Sequence, residues 1–349
     1  MKKYSSTEAV SAMASATSRT ASLKLCLGIV LLSSLLLPSA PHVLADEESL
    51  SETGFFLDTV ISITIYGSSD STVMDGCFSL LDDYEQLFSR TIEGSDVWKI
   101  NHSSGEPTEV DSETAALIEA SLYYSEISNG KFDITVTPLA ELWDIENNTG
   151  YLPSDEEIQE ALSHVDYTVI SVDGAAVTLA DPEAEIDLGG IAKGYIADRL
   201  KDYLKSEGIT SALINLGGNV LTLGEKPNGN NWKIGIRKPF GESSSDLIAV
   251  VETADMAVIT SGTYERYFEL DGVIYHHILD TETGYPVENG LTSVTILSES
   301  STEGDALSTT CFVLGLEDGM ELVEATDGVE ALFITNEMEL YRSSGFPED

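Results

Sequence analysis

Two adjacent histidines open the segment HHILDTETGYPV, residues 276–287, in a chain that holds only five histidines. Asp280 follows three residues after His277, and the Thr-Glu-Thr-Gly that comes next predicts a tight turn. A histidine beside a carboxylate can act as a general base or can hold a reacting group. A structural histidine fits the same pattern, so the segment alone leaves the role of His277 open.

The segment EIDLGGIAKGYIAD, residues 185–198, predicts a strand that runs through two glycines into a helix. Gly190 and its glycine neighbour let the backbone approach a ligand, and the start of the helix offers free N–H groups to an anion. Lys193 could contact a diphosphate there, and Asp187 could accept hydrogen bonds from a base or a ribose. A plain strand-turn-helix with a solvated lysine is the alternative. The pattern is not GxGxxG and does not indicate a Rossmann site.

The segment EGDALSTTCFVLG, residues 303–315, places a carboxylate and a hydroxyl at helical spacing. Asp305 and Thr309 are four residues apart, so they would lie on one face of a helix. Both side chains can ligate a hard cation, and Mg²⁺ prefers such oxygen ligands. The alternative is a capping Asp with a Thr that bonds back into its own helix.

The elements that must position these residues are a mixture of strands and helices. In the first half, residues 46–54 suggest a polar leader, and the alternating residues 60–67 predict a strand. Apolar residues at helical spacing predict helices within 71–89 and 111–128.

The second half adds strands for the most part. The patterns first predict a helix opened by a capping box of Ser154 and Glu157, then short strands that include EIDL, and then a helix within 189–208. Five strands from SALINL to MAVITS follow, with a hairpin that turns at Asp271–Gly272. A helix from about 304 to 315 and a final helix-strand pair complete the prediction. Without regular βαβ alternation, the pattern predicts an α+β fold with largely antiparallel sheets.

The composition is strongly acidic, with 17 Lys and Arg against 60 Asp and Glu and a net charge of −43. Such a surface repels phosphate backbones, so nucleic acid is excluded as an expected partner. A small polyanionic ligand could still bind where local basic groups or a metal overcome the background field.

The N-terminus predicts a secretory signal over residues 1–45. An uncharged apolar run extends from Leu25 to Ala45 after several basic residues, and Val43-Leu44-Ala45 suits cleavage before residue 46. We therefore expect an extracytoplasmic protein, either secreted or associated with the outer face of the cell membrane. The alternative is an uncleaved segment that anchors the chain in the membrane.

Cys77 and Cys311 remain after the predicted signal, and both stand in apolar helical patterns. Buried small hydrophobic residues are the favoured interpretation. An oxidising compartment would permit a disulfide between them, but nothing in the sequence requires one.

Eight stretches resemble, in the same order, the sequence blocks of the ApbE family, the FAD:protein FMN transferases. The similarity extends from about Phe55 to Gly315. The blocks in this chain are LDT, FSR…SD…IN, GKFDITVTPLAELW, DLGGIAKGYIAD, INLGGNV, TSGTYERYF, HHILDTETGYPV and DALSTTCFVLG.

The resemblance implies a two-lobed mixed α/β fold with FAD in the cleft between the lobes, and a role for each matching residue. The implied FAD contacts are Leu57, Thr91, Lys131, Phe132, Asp133, Asp187, Lys193 and Ile278. Mg²⁺ would be held by the carbonyl of Gly190 and by Asp305 and Thr309, with His277 and Asp305 as the catalytic residues.

The chain departs from the family pattern at four positions within these blocks. Asp58 replaces the glycine of Met-Gly-Thr, and Thr91 stands where many members have a tyrosine that packs on the flavin. Thr281 replaces the usual proline after Asp280, and Ser308 stands where some members have a further acidic ligand. None of these changes removes a principal ligand, so the expectation remains an active enzyme.

The implied activity is Mg²⁺-dependent transfer of FMN from FAD to a Ser or Thr hydroxyl of an acceptor flavoprotein, with release of AMP. The acceptor would carry a flavinylation motif of the type Asp-x-x-Ser/Thr-Gly-Ala-Thr. Two alternatives share the same residues: an FAD pyrophosphatase that yields FMN and AMP, and a secreted flavin-binding protein without catalysis.

Overall fold

An antiparallel sheet of eight strands forms the centre of the fold in the computed structural model, which describes residues 48–148, 150–243 and 245–348. The strands in chain order are β1 Ser49–Phe56, β2 Thr59–Tyr66, β3 Thr108–Glu109, β4 Ile170–Asp173, β5 Ala176–Leu179, β6 Ala212–Leu216, β7 Asn219–Leu223, β8 Trp232–Arg237, β9 Leu247–Thr253, β10 Ala257–Gly262, β11 Tyr267–Leu270, β12 Val273–His276, β13 Leu291–Ser298, β14 Glu330–Thr335 and β15 Leu340–Arg342. The large sheet has the order β1-β2-β6-β7-β10-β13-β14-β15.

Three smaller sheets accompany it, with the orders β3-β5-β4, β8-β9 and β11-β12. All strand pairs among the described residues are antiparallel, apart from one isolated parallel bridge between Val136 and Glu185. The predicted α+β class with largely antiparallel sheets is therefore confirmed.

Helices cover one face of the large sheet. In chain order the helices of the described residues are α1 Ser71–Phe88, α2 Asp96–Asn101, α3 Ser112–Ile127, α4 Thr137–Trp143, α5 Asp155–Leu162, α6 Ala192–Ser206, α7 Ser301–Leu314 and α8 Leu316–Glu324. None of them is long and apolar enough to cross a membrane.

The two faces of the large sheet bury different clusters because side chains alternate along each strand. On one face, Ile61 and Ile63 of β2 pack in a core with Leu200 of α6 and Phe312 of α7. On the other face, Val258 of β10 and its neighbours pack against the pair β8-β9. Each fully buried aliphatic side chain contributes about 1.5–3 kcal/mol of transfer free energy. Both faces of the large sheet are thus covered by packed side chains.

Most predicted elements are confirmed, including the capping box of Ser154 and Glu157 and the hairpin turn at Asp271–Gly272. The prediction of a polar leader over residues 46–54 is wrong, because residues from Ser49 onward form β1 at the edge of the large sheet. The helix predicted from about 304 begins three residues earlier, at Ser301, because Ser300 is its cap.

The described residues pack as one compact unit, so the predicted cleft is a cavity within that unit. The predicted signal, residues 1–45, lies outside the described residues. Cys77 and Cys311 are both free and buried, as predicted for small apolar residues, and burial raises the pKa of each thiol to about 12.

Candidate active site

A cavity of about 1010 Å³ lies where one end of the large sheet meets the start of α6 and the side of α7. A volume of this size is sufficient for a dinucleotide. Every residue predicted for the site lines it: Leu57, Thr91, Lys131, Phe132, Asp133, Asp187, Gly190, Lys193, His277, Ile278, Asp305 and Thr309. The structure therefore brings the whole predicted set together, and the individual binding roles stay predictions.

Two hairpin turns at the end of the sheet form part of the wall. Leu57 and Asp58 connect β1 to β2 with φ of 53° and 55°, and Gly217 and Gly218 connect β6 to β7 with φ of 65° and 105°. Two-residue turns of this kind need positive φ at both positions, which explains why a glycine suits the place of Asp58. Glu85 of α1 accepts a hydrogen bond of 2.6 Å from the Leu57 N–H, which fixes the first turn.

The strand predicted for EIDL is wrong, and a side chain explains why. Glu185 forms only an isolated bridge, and the following residues run as a loop toward α6. The Asn101 carboxamide takes the place of a neighbouring strand: it donates to the Ile186 carbonyl at 2.9 Å and accepts from the Ile186 N–H at 2.8 Å. Asp187 then accepts from the Gly189 N–H at 2.7 Å and turns the chain.

The start of α6 presents Lys193 to the cavity. The Lys193 Nζ donates to the Gly189 carbonyl at 3.0 Å, and the side chain is half-buried. A Cβ on Gly190 would lie 3.1 Å from the ring of Phe132, so the absence of a side chain at Gly190 lets this ring pack close to the backbone. An anion placed here would meet one positive charge and the amide end of a helix.

Arg90 is a cavity residue that the sequence interpretation did not select. Its Nε donates to Asp187 at 3.1 Å and its guanidinium also pairs with Glu141 at 2.6 Å. Both oxygens of Asp187 are thus engaged, one in the turn and one with Arg90. A ligand hydroxyl or base at this position would meet a carboxylate that is already oriented.

Asp305 links the site to the helix packing. Its Oδ2 accepts a hydrogen bond of 2.8 Å from the Gly194 N–H of α6, and the side chain is buried. A Cβ on Gly194 would lie 2.2 Å from the Ser301 carbonyl oxygen, so only glycine allows α6 and α7 to come this close. The interpretation of Asp305 as a cap is wrong, because Ser300 accepts the capping hydrogen bond.

Thr309 lies one turn further along α7 and faces β10. Its hydroxyl is 3.1 Å from the Ser261 hydroxyl, which is also 2.8 Å from the hydroxyl of Ser308. The alternative in which Thr309 bonds back into its own helix is therefore not observed. Ser308 itself donates to the Asp305 carbonyl at 2.8 Å. A chain of hydroxyl groups thus connects β10 with the carboxylate region of α7.

The oxygen atoms in this region fit a hard cation. In the usual helical pattern the Gly194 N–H would bond to the Gly190 carbonyl, but it donates to Asp305 instead. Within the described residues, the Gly190 carbonyl and the Asp305 Oδ1 accept no hydrogen bond. No group of three or more His, Cys, Asp or Glu in the described ranges could hold a metal. A cation here would need these oxygens, the Thr309 hydroxyl and oxygens of a ligand, as Mg²⁺ accepts.

His277 follows the last residue of β12 and is held by the backbone of Arg266. The ring Nδ1 lies 3.3 Å from the Arg266 carbonyl oxygen, and the backbone N–H of His277 donates to the same oxygen at 3.2 Å. Burial, together with the positive charges of Arg266 and Lys193, lowers the pKa of His277 to about 3. The ring is therefore neutral at pH 7. A carbonyl can only accept, so Nδ1 carries the proton and Nε2 is left as a base.

Glu265 is a second cavity residue that was not selected from the sequence. Loss of solvation raises the pKa of the Glu265 carboxyl group to about 7, although the positive charges of Lys193, Arg266 and Arg237 act to lower it. A carboxyl group of this kind exchanges protons near neutral pH. The cavity wall thus holds a neutral imidazole and a carboxyl group that can be protonated.

The predicted flavin contacts differ in how free they are. Asp133 accepts three hydrogen bonds, from the N–H and hydroxyl of Thr135 and from the Tyr167 N–H, so its carboxylate is used within the fold. Lys131 pairs with Glu282 at 3.2 Å at the cavity edge. Thr91 is exposed and its hydroxyl is 3.2 Å from that of Ser89, whereas Ile278 is buried.

The family model described as "ApbE family" matches residues 57–333. The chain belongs to the ApbE family. Among curated relatives, "FAD:protein FMN transferase" of Klebsiella pneumoniae (strain 342) is 37% identical over 304 residues, covering 86% of this chain and 94% of the relative. The protein of the same name from Treponema pallidum (strain Nichols) is 34% identical over 315 residues, covering 84% and 87%.

Solved structures of ApbE proteins have the same fold. The flavin transferase ApbE from Vibrio cholerae aligns with a TM-score of 0.78 at 30% identity, covering 86% of this chain and 98% of that chain. The ApbE protein from Thermotoga maritima aligns with a TM-score of 0.77 at 38% identity and the same coverage.

The ApbE sequence blocks contained signals for the residues that were missed. Arg90 stands in the FSR block, and Glu265 and Arg266 stand in TSGTYERYF. Because the chain has only 17 basic residues, an arginine inside such a block is a useful signal by itself. Its ion-pair partner could not be found this way, since Asp187 is 97 residues away.

Proposed function

We propose that this protein transfers FMN from FAD to a Ser or Thr hydroxyl of an acceptor protein and releases AMP. The observation that supports the proposal is the convergence of the predicted phosphate, metal and base groups on one cavity in a chain of the ApbE family. The relatives that carry the name FAD:protein FMN transferase support the same reaction.

In the reaction, the acceptor oxygen forms a bond to the FMN phosphorus. The bond from that phosphorus to the bridging oxygen breaks, and AMP leaves with that oxygen. The hydroxyl proton needs a base, and Nε2 of the neutral His277 is suited to accept it. A bound diphosphate would raise the pKa of His277 above its value in the free protein, because nearby negative charge favours the protonated ring.

Lys193 and the start of α6 would orient the diphosphate, and Arg90 would hold Asp187 in place. Gly190, Asp305 and Thr309 are the residues that would hold Mg²⁺. When bound there, Mg²⁺ would neutralise phosphate charge and stabilise the charge that develops during transfer. Such compensation is important in a chain with a net charge of −43.

The acceptor would meet this enzyme outside the cytoplasm. The support is the predicted signal over residues 1–45, either cleaved or retained as a membrane anchor. N-terminal sequencing of the protein from culture medium and from membranes tests this part: a mature N-terminus at residue 46 supports cleavage, and an intact chain in the membrane supports an anchor.

Mass spectrometry of an acceptor tests the reaction. An acceptor with an Asp-x-x-Thr-Gly-Ala-Thr segment is incubated with the enzyme, FAD and Mg²⁺, beside the same acceptor with Ala in place of the modified Thr. We expect covalent FMN on the first acceptor alone and an equal amount of AMP. Release of AMP and free FMN without a labelled acceptor would instead identify a pyrophosphatase. Binding of FAD without either product would identify a flavin-binding protein.

A further inference from the structure

Asn219 is a buried polar residue of the cavity wall. It is the first residue of β7, directly after the Gly217–Gly218 turn. The side chain is 4% exposed and lines the cavity. Its Nδ2 has no hydrogen-bond partner among the residues that the structure describes. The nearby Asn215 is different, because its Oδ1 accepts from the Gly218 N–H at 2.9 Å and closes the turn.

The strand register defines the direction of this side chain. Leu221 of β7 and Ile259 of β10 are buried in the same core, and Asn219 and Ser261 lie two residues from them in their respective strands. Opposed residues of an antiparallel pair, and residues two apart in one strand, share a face of the sheet. Asn219 and Ser261 therefore point to the same face.

That face is the one covered by α6 and α7. Ser261 contacts the Thr309 hydroxyl on α7 at 3.1 Å, and a Cβ on Gly304 would lie 3.1 Å from the side chain of Ile259. Asp305 is the next residue of the same helix. Asn219 thus lies on the face of the sheet that α6 and α7 cover, and these helices carry the residues proposed to bind the diphosphate and the metal.

A buried amide group without a hydrogen bond lowers the stability of the fold. A ligand that supplies an acceptor would remove that cost. Phosphate oxygens are strong acceptors and cannot donate when ionised, which matches an unpaired N–H₂ group. A neutral donor also binds an anion without adding a counter-charge to the site.

Building on the function proposed above, we propose that the Nδ2 group of Asn219 donates a hydrogen bond to an oxygen of the FAD diphosphate. Asn219 would then act beside Lys193 as a binding residue on the sheet side of the cavity. The contact depends on the diphosphate and not on the flavin ring, and this property makes it testable.

The test compares Asn219→Ala with the wild-type chain for three ligands. Binding of FAD and of riboflavin, which has no phosphate, is followed by flavin fluorescence. Binding of ADP, which has a diphosphate and no flavin, is followed by its competition with FAD. We expect the Kd for FAD and the Kd for ADP to rise about tenfold or more, as for a lost hydrogen bond to a charged group. The Kd for riboflavin should change less than about twofold.

Thr137→Val is the matched control, because the Thr137 hydroxyl is also buried and unpartnered but does not line the cavity. It should leave all three Kd values unchanged. Circular dichroism confirms folding, and Asn219→Ser replaces the Ala variant if that variant does not fold. Equal FAD binding by wild type and variant would overturn the assignment, and so would a parallel loss for riboflavin. A wild-type protein that binds no FAD would overturn the proposed function as well.

Discussion

The imidazole of His277 has an environment that favours its neutral form. Its Nδ1 is directed at the Arg266 carbonyl, and burial and neighbouring positive charges hold its pKa at about 3. His164 is the opposite case, because a hydrogen bond of 2.8 Å to Asp181 raises its pKa. The two rings should therefore titrate on opposite sides of the ordinary value.

We expect NMR titration of the free protein to show no protonation of His277 between pH 8 and pH 5, while His164 protonates above pH 6.5. The depressed pKa also predicts a loss of stability on acidification, because the unfolded chain binds a proton below about pH 6.5 that native His277 does not bind until about pH 3. His277→Gln should lessen the fall of the unfolding temperature over this range. A normal titration of the His277 ring near pH 6.5 would contradict the assignment.

Asp305 lines the cavity with one oxygen in the helix contact and the other without a hydrogen bond among the described residues, so its removal should affect catalysis more than ligand binding. In Asp305→Ala we expect covalent transfer of FMN to an acceptor to be lost, whereas the Kd for FAD rises by less than about tenfold. The reason is that a metal at this place acts mainly on charge that develops during transfer. Mass spectrometry of the acceptor and flavin fluorescence measure the two effects.

Chelation of the wild-type protein should reproduce the loss of transfer, and added Mg²⁺ should restore the wild type but not Asp305→Ala. The loss of the Gly194 N–H partner should also lower stability by about 1–3 kcal/mol. Full transfer by the folded variant, or by wild type in excess chelator, would refute the metal site.

At the scale of elements, the site depends on the close crossing of α6 and α7. Gly194 lies at this crossing, where a Cβ would lie 2.2 Å from the Ser301 carbonyl oxygen and 2.6 Å from the Asp305 Cβ. The same crossing releases the Gly190 carbonyl from the usual helical pattern. The distance between the two helices therefore sets the distance between two of the three predicted metal ligands.

Gly194→Ala should consequently destabilise the fold and weaken activity together. Alanine is a better helix former than glycine, but the overpacked contact should cost about 1–3 kcal/mol or more in net unfolding free energy. Chemical denaturation measures this change. Lys205→Ala, on the last turn of the same helix, is the control and should change stability by less than about 1 kcal/mol. An unchanged denaturation midpoint in Gly194→Ala would show that the helices can separate without loss.

The sequence predicted the elements with clear periodicity and missed those without it. β1 is an edge strand that is mostly exposed, so its residues show no alternation of apolar and polar side chains. The EIDL segment has strand composition, but Asn101, 85 residues away, satisfies the Ile186 backbone in place of a strand. The twelve predicted site residues could be identified from the sequence because they stand in recognisable blocks. Contacts such as Arg90 with Asp187, and the burial of Asn219, arise only when distant segments meet.

At the scale of the whole molecule, the net charge of −43 opposes the binding of an anionic ligand. Lys193, Arg237 and Arg266 are basic residues of the cavity wall that act on Glu265 and offer positive charge to a bound anion. Salt should screen the long-range repulsion more than the short contacts, because the Debye length is about 8 Å at physiological ionic strength.

We therefore expect the association rate of FAD to rise as NaCl increases from about 10 mM to about 150 mM. Stopped-flow flavin fluorescence measures this rate. Riboflavin, which is uncharged, should show no comparable dependence and serves as the control. A rate for FAD that falls with salt would show that the local basic groups dominate the field outside the cavity.

The hydrogen bond from Gly194 to Asp305 also has an evolutionary consequence. An asparagine at position 305 could still accept from the Gly194 N–H through its amide oxygen, and a single base change converts an aspartate codon to an asparagine codon. Asp305→Asn would thus keep the helix crossing while it removes the negative charge offered to the proposed metal. A gene duplicate could lose transfer activity by this one step and persist as a stable flavin-binding protein. A single substitution would then separate the enzyme from a binding protein in this fold.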